Sequence, residues 1–103
     1  HPRLLDTLLA SPAWHLVYFD KVAAVFVQGA QAERIRAACR AEMSPEKFAT
    51  LNNPVTLFHV FCLYRNYDRL AAKRIYEIYK ENIRGCYQGR ANHLQRMAHL
   101  LSS

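Results

Sequence analysis

Residues 14–28, Trp-His-Leu-Val-Tyr-Phe-Asp-Lys-Val-Ala-Ala-Val-Phe-Val-Gln, constrain this chain more than any other stretch. Two runs dense in β-branched and aromatic residues flank Asp20-Lys21, a pair suited to a tight connection between strands. A helix competes for the same residues. Ser11 could cap it, Pro12 could stand at its first position, and Trp14, Tyr18, Val22 and Val25 fall at helical spacing up to Gly29. The strand-forming residue types favour the hairpin. Strict alternation then puts Trp14, Leu16 and Tyr18 on one face and Val17 and Phe19 on the other, so both faces are apolar and both are expected to be buried.

A lone two-stranded hairpin is marginal in water, and no third strand is visible. The expectation is therefore that something completes it: the helices, a second copy of the chain pairing at the hairpin edge, or a sheet contributed from outside.

The remainder reads as helix. Arg3–Ala10 carries Leu4, Leu5, Leu8 and Leu9 and stops at Ser11-Pro12. Ala30–Met43 is alanine-rich, with Glu33 placed to meet Arg36. Ser44-Pro45 and Asn53-Pro54 repeat one device, a capping side chain followed by proline, and bracket a short helix from Pro45 to Leu51. Pro54–Arg65 is apolar nearly all round, which marks a central helix, with His59 expected as a hydrogen-bonded core or boundary residue. After a turn at Asn66-Tyr67-Asp68, the stripe Tyr67, Ala71, Ile75 and Ile78, flanked by Leu70 and Tyr79, runs to Ile83. Ala91, Leu94, Ala98 and Leu101 define a last helix, with Arg90, His93 and Arg96 toward solvent. The fold class expected is mainly α with one N-terminal β-hairpin (α+β), built from antiparallel helical hairpins. It forms a single domain over 1–103, with a helix and hairpin in 1–28 and the helical part in 29–103.

Composition sets outer bounds. With 51% hydrophobic and 21% charged residues the chain is that of a folded protein, not a disordered one. No apolar run approaches the roughly 20 residues of a membrane span. The start at His1-Pro2 without methionine fits a trimmed fragment with sequence upstream. Cys39, Cys62 and Cys86 are odd in number and lack a CxxC pair, so buried free thiols are expected over a zinc site or disulfide framework.

The formal charge of +6 is uneven: residues 65–103 hold eight basic against three acidic side chains. Such a surface attracts phosphates, anionic lipid headgroups or an acidic protein. The candidate basic surface is Arg69, Lys73, Lys80, Arg84, Arg90 and Arg96. With Tyr67, Tyr76 and Tyr79 nearby it also suits nucleic acid, where cations engage phosphates and rings stack on bases, though basic residues on a helix are more often a solvated face.

For chemistry the chain offers no paired-carboxylate motif, no GxSxG, no HExxH and no glycine-rich phosphate loop. His93 and His99 are six apart, off the one-turn spacing of metal-binding helix pairs. No catalytic, cofactor-binding or metal-ligating residue is nominated, and no cofactor is expected.

Two resemblances add to this. Tyr64, Tyr67, Ala72 and Tyr76, set around a helix-turn-helix, resemble one tetratricopeptide-like unit, in which small and aromatic residues interlock; the usual glycine is absent and only one copy is visible, so a plain helical hairpin stays open. Trp14, Val17, Tyr18, Asp20, Ala24, Val25 and Phe26, with the leucine-rich helix before them, resemble a signature near the end of the extramembrane portion of bacterial polytopic membrane proteins of the mannosyltransferase-like glycosyltransferase superfamily. That resemblance covers about 28 residues. It implies a small α/β extramembrane domain on the periplasmic face of a bacterial inner membrane, with the helical segment appended in an accessory role. No catalytic residue of that superfamily maps here.

The function expected is thus a non-enzymatic helical protein-interaction or accessory domain with a protein partner, self-associating as a homodimer through the hairpin. A basic nucleic-acid or anionic-surface binder, and an accessory fragment of a membrane glycosyltransferase, are the alternatives.

Overall fold

The computed structural model describes residues 2–20, 22–85 and 87–103, with only the backbone for Pro2 and Arg3. The Lys21 half of the hairpin connection and the Cys86 thiol lie outside the described residues. The chain forms two compact units, residues 1–44 and 45–103.

In the first unit, α1 (Pro2–Ala10) is followed by β1 (Trp14–Phe19), β2 (Ala24–Gln28) and α2 (Ala32–Ala38). The strand-forming residue types prevail over the helical spacing, and Trp14–Gln28 is an antiparallel hairpin. Asp20 organises its connection: its Oδ1 accepts from the backbone N–H of Val22 and of Ala23, both at 2.9 Å, and its own N–H donates to the Ala23 carbonyl. Gly29 ends β2 at φ 86°, in the left-handed region that glycine adopts without a Cβ penalty, and turns the chain toward α2.

The two faces of the hairpin differ from the simple alternation. Leu16 pairs with Phe26 and Tyr18 pairs with Val25, so Val17 is an extra residue in β1, a β-bulge. The bulge reverses the alternation beyond it. Leu16 and Phe19, with Ala24 and Phe26 opposite, now share one face, while His15, Tyr18, Val25 and Val27 share the other. Leu16, Val17 and Phe19 are buried, whereas His15 and Val25 are exposed and Tyr18 and Val27 half-buried. The expectation that both faces are buried therefore holds only in part: Leu16 and Phe19 are buried and Ala24 and Phe26 half-buried on one face, while the other keeps Tyr18 and Val27 half-buried and leaves His15 and Val25 exposed. Helices α1 and α2 pack on β1.

Alanine propensity carries α2 only to Ala38, short of the expected Met43. At Cys39 (φ −89°, ψ −2°) the chain tightens into a 3-10 turn, Arg40–Met43, with the Glu42 N–H on the Cys39 carbonyl. Met43 is buried, and its Sδ accepts from the Phe19 N–H at 3.5 Å.

The second unit opens with a 3-10 turn, Pro45–Phe48, where a longer helix to Leu51 was expected. Asn82 holds the following loop, its Nδ2 donating to the carbonyls of Ala49 (2.7 Å) and Leu51 (2.9 Å). Helix α3 (Pro54–Tyr67) begins as its residues dictate, with Pro54 first and the Asn53 side chain accepting from the Thr56 N–H at 3.1 Å. It runs into the expected turn at 66–68 as far as Tyr67, with the Asn66 side chain donating to the Cys62 carbonyl one turn back. Asp68 alone breaks the helix and starts the next: its φ of −159° is extended, and its Oδ1 accepts from the Leu70 N–H to cap α4 (Arg69–Asn82).

Helices α3 and α4 fold against each other over Leu57, Val60, Phe61, Leu63 and Tyr64 on one side and Ala71, Ala72, Ile75, Ile78 and Tyr79 on the other. Small alanines opposite large rings let the helices approach closely. Leu70 instead points outward, 80% exposed, and His59 is also exposed. Helix α5 (Arg90–Ser102) packs on both α3 and α4. Its inward face is rotated from the expected stripe: Met97 is fully buried and His93 half-buried, while Ala91 and Ala98 are exposed. An imidazole edge and a thioether fill space that alanine methyls cannot.

Candidate functional site

Four of the six basic positions named from sequence also make contacts within their own unit. Arg69 donates through Nη2 to the carbonyls of Leu100 (3.1 Å) and Leu101 (2.8 Å) at the end of α5. Arg65 joins it with Nε on the Leu100 carbonyl at 3.1 Å. Arg90 donates to the carbonyls of Ile83 (2.6 Å) and Lys80 (3.2 Å) at the end of α4. Each places positive charge on carbonyls that a helix terminus leaves without intrahelical partners, where the macrodipole is negative.

Lys80 sits over the Tyr76 ring at 4.8 Å, and Arg96 over the Phe58 ring at the same distance. Lys73 and Arg84 are exposed and make no ion pair among the described residues. Arg74, absent from the sequence-based set, pairs with Glu46 through Nε (2.5 Å) and Nη2 (3.3 Å) and reaches Glu81 at 3.6 Å. The Arg74 guanidinium holds the Glu46 carboxyl below its ordinary value, chiefly by that hydrogen bond.

The densest side-chain cluster surrounds His93, which sequence reasoning had turned toward solvent. Its imidazole stacks on Phe58 of α3 with centroids 4.6 Å apart and planes at 21°. Tyr79 of α4 meets it edge-on at 5.5 Å and 82°, and Tyr87 of the loop before α5 lies tilted at 5.9 Å. Tyr79 Oη is 2.6 Å from His93 Nδ1. Gly89 leaves room for Tyr87, since a Cβ there would stand 2.7 Å from its hydroxyl and 2.8 Å from its ring.

Burial lowers the His93 pKa, and the nearby Arg96 charge lowers it further; burial raises that of Tyr79. Nothing in the spacing of Phe58, Tyr79, Tyr87 and His93 foretells this meeting, because its four members come from three helices and a loop. Cys39 and Cys62 are free and half-buried, and burial raises the Cys62 thiol pKa. Among the described residues no group of three His, Cys, Asp or Glu side chains is placed to hold a metal ion, and no helix is long and apolar enough to cross a membrane.

A different kind of feature lies on β2. Its one hydrogen-bonded strand neighbour among the described residues is β1, so no strand pairs with its other edge. The strand Ala-Val-Phe-Val-Gln has no charge and no proline, and Val25 is 45% exposed on the outer face. Trp14, at 39% exposed, and Leu4, at 58%, are further large apolar side chains of the first unit that meet solvent. Comparison with known proteins returns no matching family model, no curated relative and no matching solved structure.

Proposed function

We propose that this chain is a non-enzymatic protein-interaction module that associates with a second copy of itself through strand β2. The observation that carries the proposal is the open, uncharged edge of a hairpin that has only two strands. Unpaired N–H and C=O groups along such an edge are a template for another strand, and proteins that avoid pairing place lysine, proline or a bulge there. Here the bulge is in β1 and β2 has none of these devices.

A second copy is the partner that fits. Two β2 strands running antiparallel about a two-fold axis near Phe26 would set Val25 opposite Val27 and Ala24 opposite Gln28, with no like charges facing. The product would be a four-stranded sheet, past the size at which sheets become independently stable. Five residues a side make a small contact, so the association belongs to the weak, transient class.

Sedimentation velocity from about 10 μM to about 1 mM tests this, the upper limit reaching complexes of about −4 kcal/mol. The expected result is a mass that rises with concentration from 11.9 kDa toward twice that value. Val25→Lys, which sets two cations near the two-fold axis at an exposed position, should stay monomeric with its melting temperature unchanged. A wild-type chain that is monomeric throughout refutes the proposal.

The alternative of a basic nucleic-acid surface draws less support, because Arg69 and Arg90 are committed to helix carbonyls and Lys80 and Arg96 to aromatic rings. The likeness of Trp14–Val27 to mannosyltransferase-like membrane proteins concerns which larger protein such a module would serve, and an encoding frame with membrane spans upstream is its direct test.

A further inference from the structure

We propose that His93 is a pH-operated latch on α5: neutral, it accepts the Tyr79 hydroxyl inside a three-ring cage and holds the N-terminal half of α5 on the α3–α4 pair; protonated, it leaves the cage and that half of the helix loosens.

The proton positions follow from burial. The Tyr79 side chain is fully buried, and its hydroxyl has His93 Nδ1 as its hydrogen-bond partner at 2.6 Å. A buried hydroxyl proton without an acceptor is costly, so Tyr79 donates and Nδ1 accepts. That fixes His93 as the neutral tautomer with its proton on Nε2. An imidazolium has donors on both nitrogens. Tyr79 would then have to turn its oxygen toward Nδ1–H, and its own proton would lose this acceptor.

The surrounding charges oppose protonation as well. From α3, Phe58 offers an uncharged ring, with the neutral Cys62 thiol one turn on. From α4 comes the Tyr79 hydroxyl, and from the loop that of Tyr87. From α5 itself come Arg96, the charge acting on His93, and Arg90 at the start of the helix. No carboxylate among the described residues forms an ion pair with the imidazole. Attraction of a cation to the aromatic rings is the one opposing effect. It is limited here, since Tyr79 presents its ring at 82° to the imidazole and Phe58 already carries the Arg96 guanidinium at 4.8 Å.

The consequence is local because the far end of α5 is held independently. Arg65 and Arg69 clamp Leu100 and Leu101, and Met97 is buried at mid-helix. The first two turns depend on the cage and on Arg90. Protonation is favoured in the loosened state, where His93 regains the ordinary value of 6.5, over the docked state, where its value is lower. Docking is therefore unaffected at pH well above 6.5. It weakens as pH falls below 6.5 and weakens no further once pH is below the docked-state value.

Two NMR measurements on the intact chain test this: the titration of the His93 ring protons, and amide exchange of residues 92–97, corrected for the intrinsic pH dependence of exchange. The expected results are a His93 midpoint below 6.5 and protection that falls between pH 7.5 and pH 4.5, up to tenfold for each unit by which the midpoint is depressed. His93→Phe should abolish the pH-dependent loss. Because it leaves the Tyr79 hydroxyl unpaired, the double variant Tyr79→Phe/His93→Phe is the second comparison, and it too should be insensitive to pH. A midpoint at or above 6.5, or the same loss of protection in both variants as in the wild type, overturns the proposal.

Discussion

Replacing Asp20 by alanine isolates the contribution of the hairpin connection, because its carboxylate accepts from two backbone amides and one hydroxyl there. Its Oδ1 accepts two backbone N–H groups at 2.9 Å, and its Oδ2 takes the Tyr18 hydroxyl at a longer 3.3 Å. Bonds to a charged acceptor contribute roughly 1.5–3 kcal/mol each where water is excluded. The Val22 and Ala23 amides are exposed and recover bonds to water, and the Tyr18 bond is too long to add much. The loss in Asp20→Ala is then about 1–2 kcal/mol in total. Asp20→Asn keeps a carbonyl oxygen for the two amides and should lose less than half of that. Trp14, the only tryptophan, stands at the start of β1, so its emission during urea unfolding follows the hairpin. With a slope of about 1.5 kcal/mol/M, Asp20→Ala should lower the urea midpoint by about 1 M. A shift under about 0.2 M, or Asp20→Asn as damaging as Asp20→Ala, would refute the assignment of the turn to these two accepted bonds.

The second unit offers two further tests. Met97→Ala removes the one fully buried side chain of α5 and should cost about 2–4 kcal/mol in denaturant unfolding, since transfer and cavity losses combine. Glu46 is held below its ordinary value of 4.5 by Arg74, so the stability it contributes is fully present above pH 4.5 and is lost as pH falls through its folded value. Glu46→Gln should therefore flatten the acid limb of a plot of melting temperature against pH below about 4.5, and an unchanged limb would contradict that coupling.

What sequence could and could not foretell divides along physical lines. Punctuation was legible where a side chain bonds its own neighbourhood: Asn53-Pro54 starts α3 through a local bond, whereas the cap that Asp68 gives α4 was read only as part of a turn. The hairpin itself followed from residue type. Its bulge did not, because nothing in Leu-Val-Tyr marks Val17 as the extra residue, and that one insertion sets which side chains share a face beyond it. The helix 30–43 failed beyond Ala38 because alanine propensity is a weak term beside tertiary context. In α5 the expected stripe was rotated because histidine counts as polar in any pattern, whereas His93 packs as an aromatic ring. The local use of the charges was not legible either. A run of arginines suggests a surface for a partner, yet Arg65, Arg69 and Arg90 terminate helices of their own unit, a use that depends on which helix ends lie near them in space.

The central claim, that β2 is an open edge that pairs with its own copy, is tested most directly by amide exchange across residues 24–28 as a function of concentration. The account predicts that amides of β2 directed away from β1 become protected as the chain is raised from about 10 μM to about 1 mM, while those of β1 stay unchanged, and that Val25→Lys removes the effect. Exchange in β2 that is independent of concentration would contradict it.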